Sequence, residues 1–149
     1  MSDLKATISE ATKSAMKARD KERVATLRMV NAEIKRVEVD ERRELSDDDV
    51  IAILNRMLKQ RKDSLSQFQD AGRDDLAAQE QLEIDVITQF MPEPLSEDEV
   101  EALIRAAIED VGASGMQDMG KIMGKLRAQV QGKADMGAVS AKVKALLSA

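Results

Sequence analysis

Apolar residues recur every three or four positions along almost the whole chain, the spacing that gathers them on one face of an amphipathic helix. Leu4, Ile8, Ala11 and Ala15 form one such face. Val24, Leu27, Val30, Ile34 and Val37 form a second, and Val50, Leu54, Met57, Leu65 and Phe68 a third. Leu76, Ile87 and Phe90, with Val86 beside them, mark a fourth. No segment alternates apolar and polar positions with β-branched enrichment, so no sheet is expected. Two helix starts share one plan: Leu45-Ser46-Asp47-Asp48-Asp49-Val50 and Leu95-Ser96-Glu97-Asp98-Glu99-Val100. In each, Ser is the N-cap and the acid three residues on reaches back to it. Leu before the cap and Val after the first turn form a hydrophobic staple.

The strongest break is Met91-Pro92-Glu93-Pro94, which holds both prolines of the chain. Prolines remove backbone donors and push the preceding residues out of helix. The pattern therefore predicts an all-α protein of two small subdomains: four helices over 1–91, a proline linker at 92–95 and three helices over 96–149. The segment from Val39 to Leu45 reads as a polar connection, and Gly72 as the end of the third helix. The later helices are predicted near 96–111, 116–131 and 135–148. Gly112 and Gly132 stand where left-handed C-terminal caps fall, and Asp135 where the last helix needs an N-cap.

Composition narrows the chemistry. The chain has no Cys and no His, which removes thiolate nucleophiles, the commonest general base and the commonest metal ligand. No catalytic residue, metal site or cofactor is assigned. Trp and Tyr are absent and there are only two Phe, so recognition of single strands by base stacking is not expected. The net charge of −5 argues against indiscriminate coating of DNA. The opening MSDLKATISEATK has no basic n-region, and no apolar run approaches the roughly 20 residues that span a bilayer. The expectation is a cytoplasmic chain with no membrane partner.

Charge is unevenly placed in the second part. Residues 95–118 carry seven acids and one base, whereas residues 119–149 carry six bases and one acid. The bases are Lys121, Lys125, Arg127, Lys133, Lys142 and Lys144. Gly120 and Gly124 lie four apart within the same helix and share a face. Each interior glycine costs about 0.5–1 kcal/mol relative to Ala, which calls for a reason. Close approach of a neighbouring helix is the commoner one on spacing alone. Close approach of a phosphate chain, held by the adjacent bases, is the functional one. A solvated basic face would look the same in sequence.

In the first part, Arg61 falls on the apolar stripe of the third helix between Met57 and Leu65. Glu80 and Glu83 fall on the stripe of the fourth between Leu76 and Ile87. The expectation is a structural, partly buried Arg–carboxylate cluster between these helices, with charges kept at core positions by pairing. The Met29–Asn31 region and the stretch from Arg56 to Lys62, with Lys59 and Lys62 neighbours at i and i+3, mark a second surface. The acids Asp47 to Asp49 are explained by the helix dipole rather than by a metal.

These residues resemble a known family. Asp118-Met119-Gly120-Lys121-Ile122-Met123-Gly124, followed by Gly132-Lys133-Ala134-Asp135, Val139, Val143 and Leu146, resembles the end of YqeY proteins. So do Leu27-Arg28-Met29 with Ile34-Lys35, the block from Lys59 to Ser64 with Phe68, Ala71-Gly72-Arg73 and Leu76, and Leu95-Ser96 with Glu99. The C-terminal part is also similar to the tail of the GatB subunit of aspartyl/glutamyl-tRNA amidotransferase. That tail reaches the tRNA body, while the carbon–nitrogen ligase chemistry, with glutamine as amido donor, occurs elsewhere in the complex.

The resemblance implies an all-helical, non-catalytic module that interacts with tRNA. Gly120, Lys121, Gly124, Lys125, Arg127, Lys133 and Lys142 would be its contacts, with a protein of the translation machinery as a second kind of partner. The competing reading is a protein–protein adaptor using Met116, Met119, Met123 and Met136 as an adaptable apolar surface. An enzyme acting on its own is disfavoured by the missing His and Cys and by the lack of a Gly-rich phosphate loop.

Overall fold

The structure, a computed structural model, describes residues 2–148. Among them there are seven α-helices, one short 3-10 turn and no strand, so the protein is all-α. The chain divides into two compact units, Met1–Met91 and Pro92–Ala149.

The first unit contains α1 (Asp3–Lys17), α2 (Lys21–Glu41), α3 (Asp47–Asp70) and α4 (Asp74–Thr88). Its core is built from the apolar stripes, with Ile8, Leu27, Val30, Val50, Leu54 and Ile87 fully shielded from solvent. The start of α3 shows how local chemistry fixes a helix end. The Asp49 amide donates to Ser46 Oγ at 3.2 Å, and the Ser46 amide donates back to Asp49 Oδ2 at 2.8 Å. Leu45 before the cap and Val50 after the first turn are both buried in the same core. Arg43 adds a two-pronged contact to the Asp49 carboxylate at 2.7 and 3.1 Å. That guanidinium, followed by the Ser46 amide, holds the Asp49 carboxyl well below the usual carboxylate range.

Asp47 serves another helix. It accepts from the Ser2 hydroxyl and from the Leu4 amide, in the first turn of α1. The acidic run at the start of α3 is thus accounted for by two helix N-termini.

α2 is longer than its apolar stripe predicts. The polar connection expected from Val39 onward begins only at Arg42, because α2 continues to Glu41. The extra turn is supported by Arg36, which pairs with Glu33 three residues back and with Asp40, at 3.1 Å, four residues on. α3 ends with the Arg73 amide bonded to the Phe68 carbonyl at 2.8 Å and Gly72 at φ +70°. This left-handed cap turns the chain into α4, on which α3 packs most extensively.

The second unit contains α5 (Glu97–Val111), a 3-10 turn (Met116–Asp118), α6 (Met119–Val130) and α7 (Met136–Leu147). Its core is Val100, Ile104, Ala107, Ile122, Leu126, Val130, Val139 and Val143. Ser96 and Glu99 form the second capping box, with the Glu99 amide 3.1 Å from Ser96 Oγ. Asp135 caps α7 by accepting from the amides of Gly137 and Ala138. The Leu95 amide donates to the Lys133 carbonyl at 2.8 Å, tying the entry of α5 to the loop between α6 and α7. No helix of the described residues is long and apolar enough to cross a membrane.

Candidate nucleic-acid interface

The face that α6 presents is decided by its apolar residues. Ile122, Leu126 and Val130 are fully buried. Helical residues advance about 100° each, so Gly120, Gly124 and Ala128 lie on the opposite side, and all three are exposed. A Cβ built on Gly120 or Gly124 would meet nothing within 4 Å. Among the described residues of the second unit, no neighbour helix covers this face, although the spacing suggests one. α5 and α7 occupy the apolar side of α6, and the glycine side faces outward. Ala at both positions is expected to raise the stability of this unit by about 1–2 kcal/mol, through helix propensity alone. Urea unfolding followed by circular dichroism would measure this, and a destabilised double variant would mean that the glycine face is in contact with something.

The bases around this face differ in how they are engaged. Lys121 and Arg127 are exposed and make no hydrogen bond or ion pair within the described residues. Lys125 pairs with Asp110 at 2.8 Å, both side chains being largely solvated. Such pairs contribute at most about 1 kcal/mol, so Lys125 can exchange its partner for a phosphate at little cost. Lys133 and Lys142 are half-buried and line a cleft of about 460 Å³ with Leu95, Val100, Ala134 and Val139. The Lys142 ammonium donates to the Glu97 carbonyl at 3.4 Å. The predicted contacts thus fall into two groups: Gly120, Lys121, Gly124, Lys125 and Arg127 on α6, and Lys133 with Lys142 at the cleft.

Of the four methionines that carried the adaptor reading, only Met116 is exposed, at 46%. Met119, Met123 and Met136 pack against the core of the second unit. All three are partly buried.

The polar residues of the first unit are placed as follows. Arg61 Nε stands 3.9 Å from Glu83 Oε2, with side-chain exposures of 15% and 10%. One Arg61 terminal nitrogen donates to the Met57 carbonyl at 3.2 Å and the other lies 3.8 Å from Met29 Sδ. Nε itself is buried without a hydrogen-bond partner. Burial pushes the Glu83 carboxyl up, Arg61 opposes this, and the nearby charge of Glu80 adds to it. Glu80 makes no ion pair with Arg61 and acts only through this repulsion. Lys59 and Lys62 are exposed and unpaired.

Sequence comparison places the chain among relatives. The protein named Altered inheritance of mitochondria protein 41, mitochondrial, of Pyrenophora tritici-repentis is 27% identical over 140 residues, covering 92% of this chain and 77% of that protein. The protein of the same name from Eremothecium gossypii is 36% identical over 90 residues, covering 60% of this chain and 49% of that one. The Saccharomyces cerevisiae protein is 31% identical over 121 residues, covering 76% and 65%. The chain thus spans about half to three-quarters of the length of these relatives. All three carry a mitochondrial designation in their names. The cytoplasmic location expected from the start of the sequence does not stand against them. A test for an export signal does not separate cytoplasm from mitochondrion. The family model described as Yqey-like protein matches residues 5–147, nearly the whole chain, which therefore belongs to the YqeY family.

Proposed function

We infer that this protein is a non-catalytic helical module that contacts tRNA through the outward face of α6. The observation that carries the reading is the open glycine face at Gly120 and Gly124, bordered by the unpartnered Lys121 and Arg127. A helix that gives up side chains in mid-length, with no neighbour to receive, leaves room for another backbone. The adjacent charge makes a phosphate backbone the matching one. Recognition by shape and backbone suits a chain without stacking aromatics. The likeness of this region to the GatB tail supports tRNA as the nucleic acid. Amide-forming chemistry with glutamine as donor would belong to a larger complex.

Binding of total tRNA across a salt series tests this directly. The wild type is expected to bind with a steep salt dependence. Changing Lys121, Lys125 and Arg127 to Glu is expected to remove three phosphate contacts and lower the slope of log K against log salt by about 2–3. The Gly120→Ala, Gly124→Ala protein adds a second readout, namely weaker binding in a more stable protein. Absence of wild-type binding at low salt would sink the reading.

A further inference from the structure

The surface of α2 carries a row of cations remote in sequence from α6. Lys21, Arg28, Lys35 and Arg42 recur at intervals of seven residues and are all exposed. Seven residues are nearly two helical turns, so Lys21, Arg28 and Lys35 form one ridge with about 10 Å between successive cations, and Arg42 follows it at the C-cap. None of the four has a hydrogen-bonding or ionic side-chain partner among the described residues. The cations off the ridge behave differently: Lys5 pairs with Glu38, and Arg36 with Glu33 and Asp40. Of the acids of α2, Glu22, Glu33, Asp40 and Glu41 point away from the ridge, and Glu38, one turn from Lys35 and Arg42, is engaged by Lys5 at 2.8 Å. Between the cations stand Ala25, Ala32 and Val39, all exposed and all short. No long side chain would hold a partner away.

The two ends of α2 add a second, independent observation. Arg19, just before the helix, has φ +58°, and Arg42, just after it, has φ +54°. These are left-handed positions where glycine is usual and where other residues cost about 1–2 kcal/mol. At Gly72, Gly112 and Gly132 the same conformation is met with glycine. Around α2 it is met twice with an exposed arginine, so strain is accepted at both ends of a cationic ridge.

We propose that the outward ridge of α2 (Lys21, Arg28, Lys35 and Arg42) is a second phosphate-backbone contact that tracks the RNA bound by this protein. This rests on the tRNA reading given above and extends it to the first unit. A nucleic-acid backbone presents charge every few ångströms, so cations 10 Å apart each find a phosphate whatever the sequence. A protein partner would need an apolar centre to bind stably. The ridge offers Ala25, Ala32 and Val39, the last 61% exposed, with Met29, 38% exposed and in contact with Arg61, at its edge.

The test uses the full chain and total tRNA in the same salt series. The variant Lys21→Gln, Arg28→Gln, Lys35→Gln removes three ridge charges at exposed sites. The control Lys13→Gln, Arg73→Gln, Arg105→Gln removes the same charge from exposed, locally paired positions elsewhere. The ridge variant is expected to lose about tenfold or more in affinity near 0.1 M salt and about 2 from the salt slope, with the control unchanged. Circular dichroism confirms folding, and the three single substitutions serve if the triple variant does not fold.

Equal loss in ridge and control variants, or no loss in the ridge variant while the α6 variant loses binding, would overturn the ridge and leave the α6 reading standing. Loss in the ridge variant with the α6 variant unaffected would do the reverse. A wild type that binds no tRNA would overturn both. Polyglutamate competing as well as tRNA for the ridge would assign it to an acidic protein and overturn the RNA contact.

Discussion

Leu126→Ala is expected to unfold the second unit while the first stays folded. Leu126 is fully buried at the centre of a core of only eight buried residues. A unit of under 60 residues is marginal because it buries a small share of its surface. At typical densities of stability it holds about 3–9 kcal/mol in all. Truncating a buried Leu to Ala costs about 3–5 kcal/mol, from lost transfer energy and from the cavity left behind. The loss is comparable with the whole. The core of the first unit is formed by separate residues, among them Ile8, Leu27, Leu54 and Ile87.

Backbone amide NMR spectra would show this as collapse of the signals from α5 to α7 with those of α1 to α4 retained. Loss of dispersion throughout the spectrum would mean that the units fold only together. The result also bears on the tRNA experiment, because a core variant of this kind would lose binding for a trivial reason. Surface charge changes are the informative ones.

Arg61→Met is the second large expected effect, a loss of about 3 kcal/mol at pH 7. The effect comes from the group left behind. Glu83 sits in the interface between α3 and α4 with its side chain only 10% exposed, and among the described residues Arg61 is the only cation within ion-pairing distance. Removing Arg61 leaves a carboxylate that burial and the neighbouring Glu80 both disfavour. Its pKa, already raised in the native protein, rises further.

The sign of the pH dependence follows. A carboxyl whose folded pKa lies above its unfolded one penalises folding at high pH, and the penalty disappears as the group protonates. The deficit of the Met variant should therefore shrink as pH falls from 7 towards about 4, the unfolded carboxyl range. Adding Glu83→Leu should restore most of the stability at pH 7, since an apolar pair can replace a buried ionic one. Urea unfolding at pH 7 and pH 5 would check both statements. An equal deficit at the two pH values would show that lost packing of the Arg61 stem, not the stranded charge, is the cause.

How much of this could be read from the sequence depends on how local the determinant is. The capping boxes at Ser46 and Ser96 need only residues within one turn, and they appear in the structure as the residue types dictate. Gly72, Gly112 and Gly132 all adopt positive φ, because a helix end needs a left-handed residue and each stands at one. The all-helical class followed from the apolar spacing. The length of α2 was less legible. Its last turn is polar on every face but Val39, and it is held by Arg36 pairs that a hydrophobic pattern does not record.

The openness of Gly120 and Gly124 was beyond a sequence argument. Spacing says that the two share a face but not how many helices surround α6. A three-helix unit supplies neighbours for one side only. The α2 ridge failed to show for a different reason. From Lys21 to Arg42 the chain carries six bases and five acids, which sum almost to nothing in linear order. Only when wound at 3.6 residues per turn do Glu22, Glu33, Asp40 and Glu41 separate from the row of cations, with Glu38 beside it held by Lys5. The seven-residue interval was present in the sequence, and a helical projection of charge, not of hydrophobicity, would have found it.

The bond from the Leu95 amide to the Lys133 carbonyl has a mechanical meaning. Leu95 directly follows the proline segment, where Pro92 and Pro94 have no amide hydrogen with which to bond. The chain arriving from Pro94 is therefore fastened first to the loop after α6, and only then does it enter α5. Tension along the linker is delivered to the Gly132–Asp135 turn as well as to the helix it precedes. Any ligand that grips Lys133 holds the same rivet from the other side.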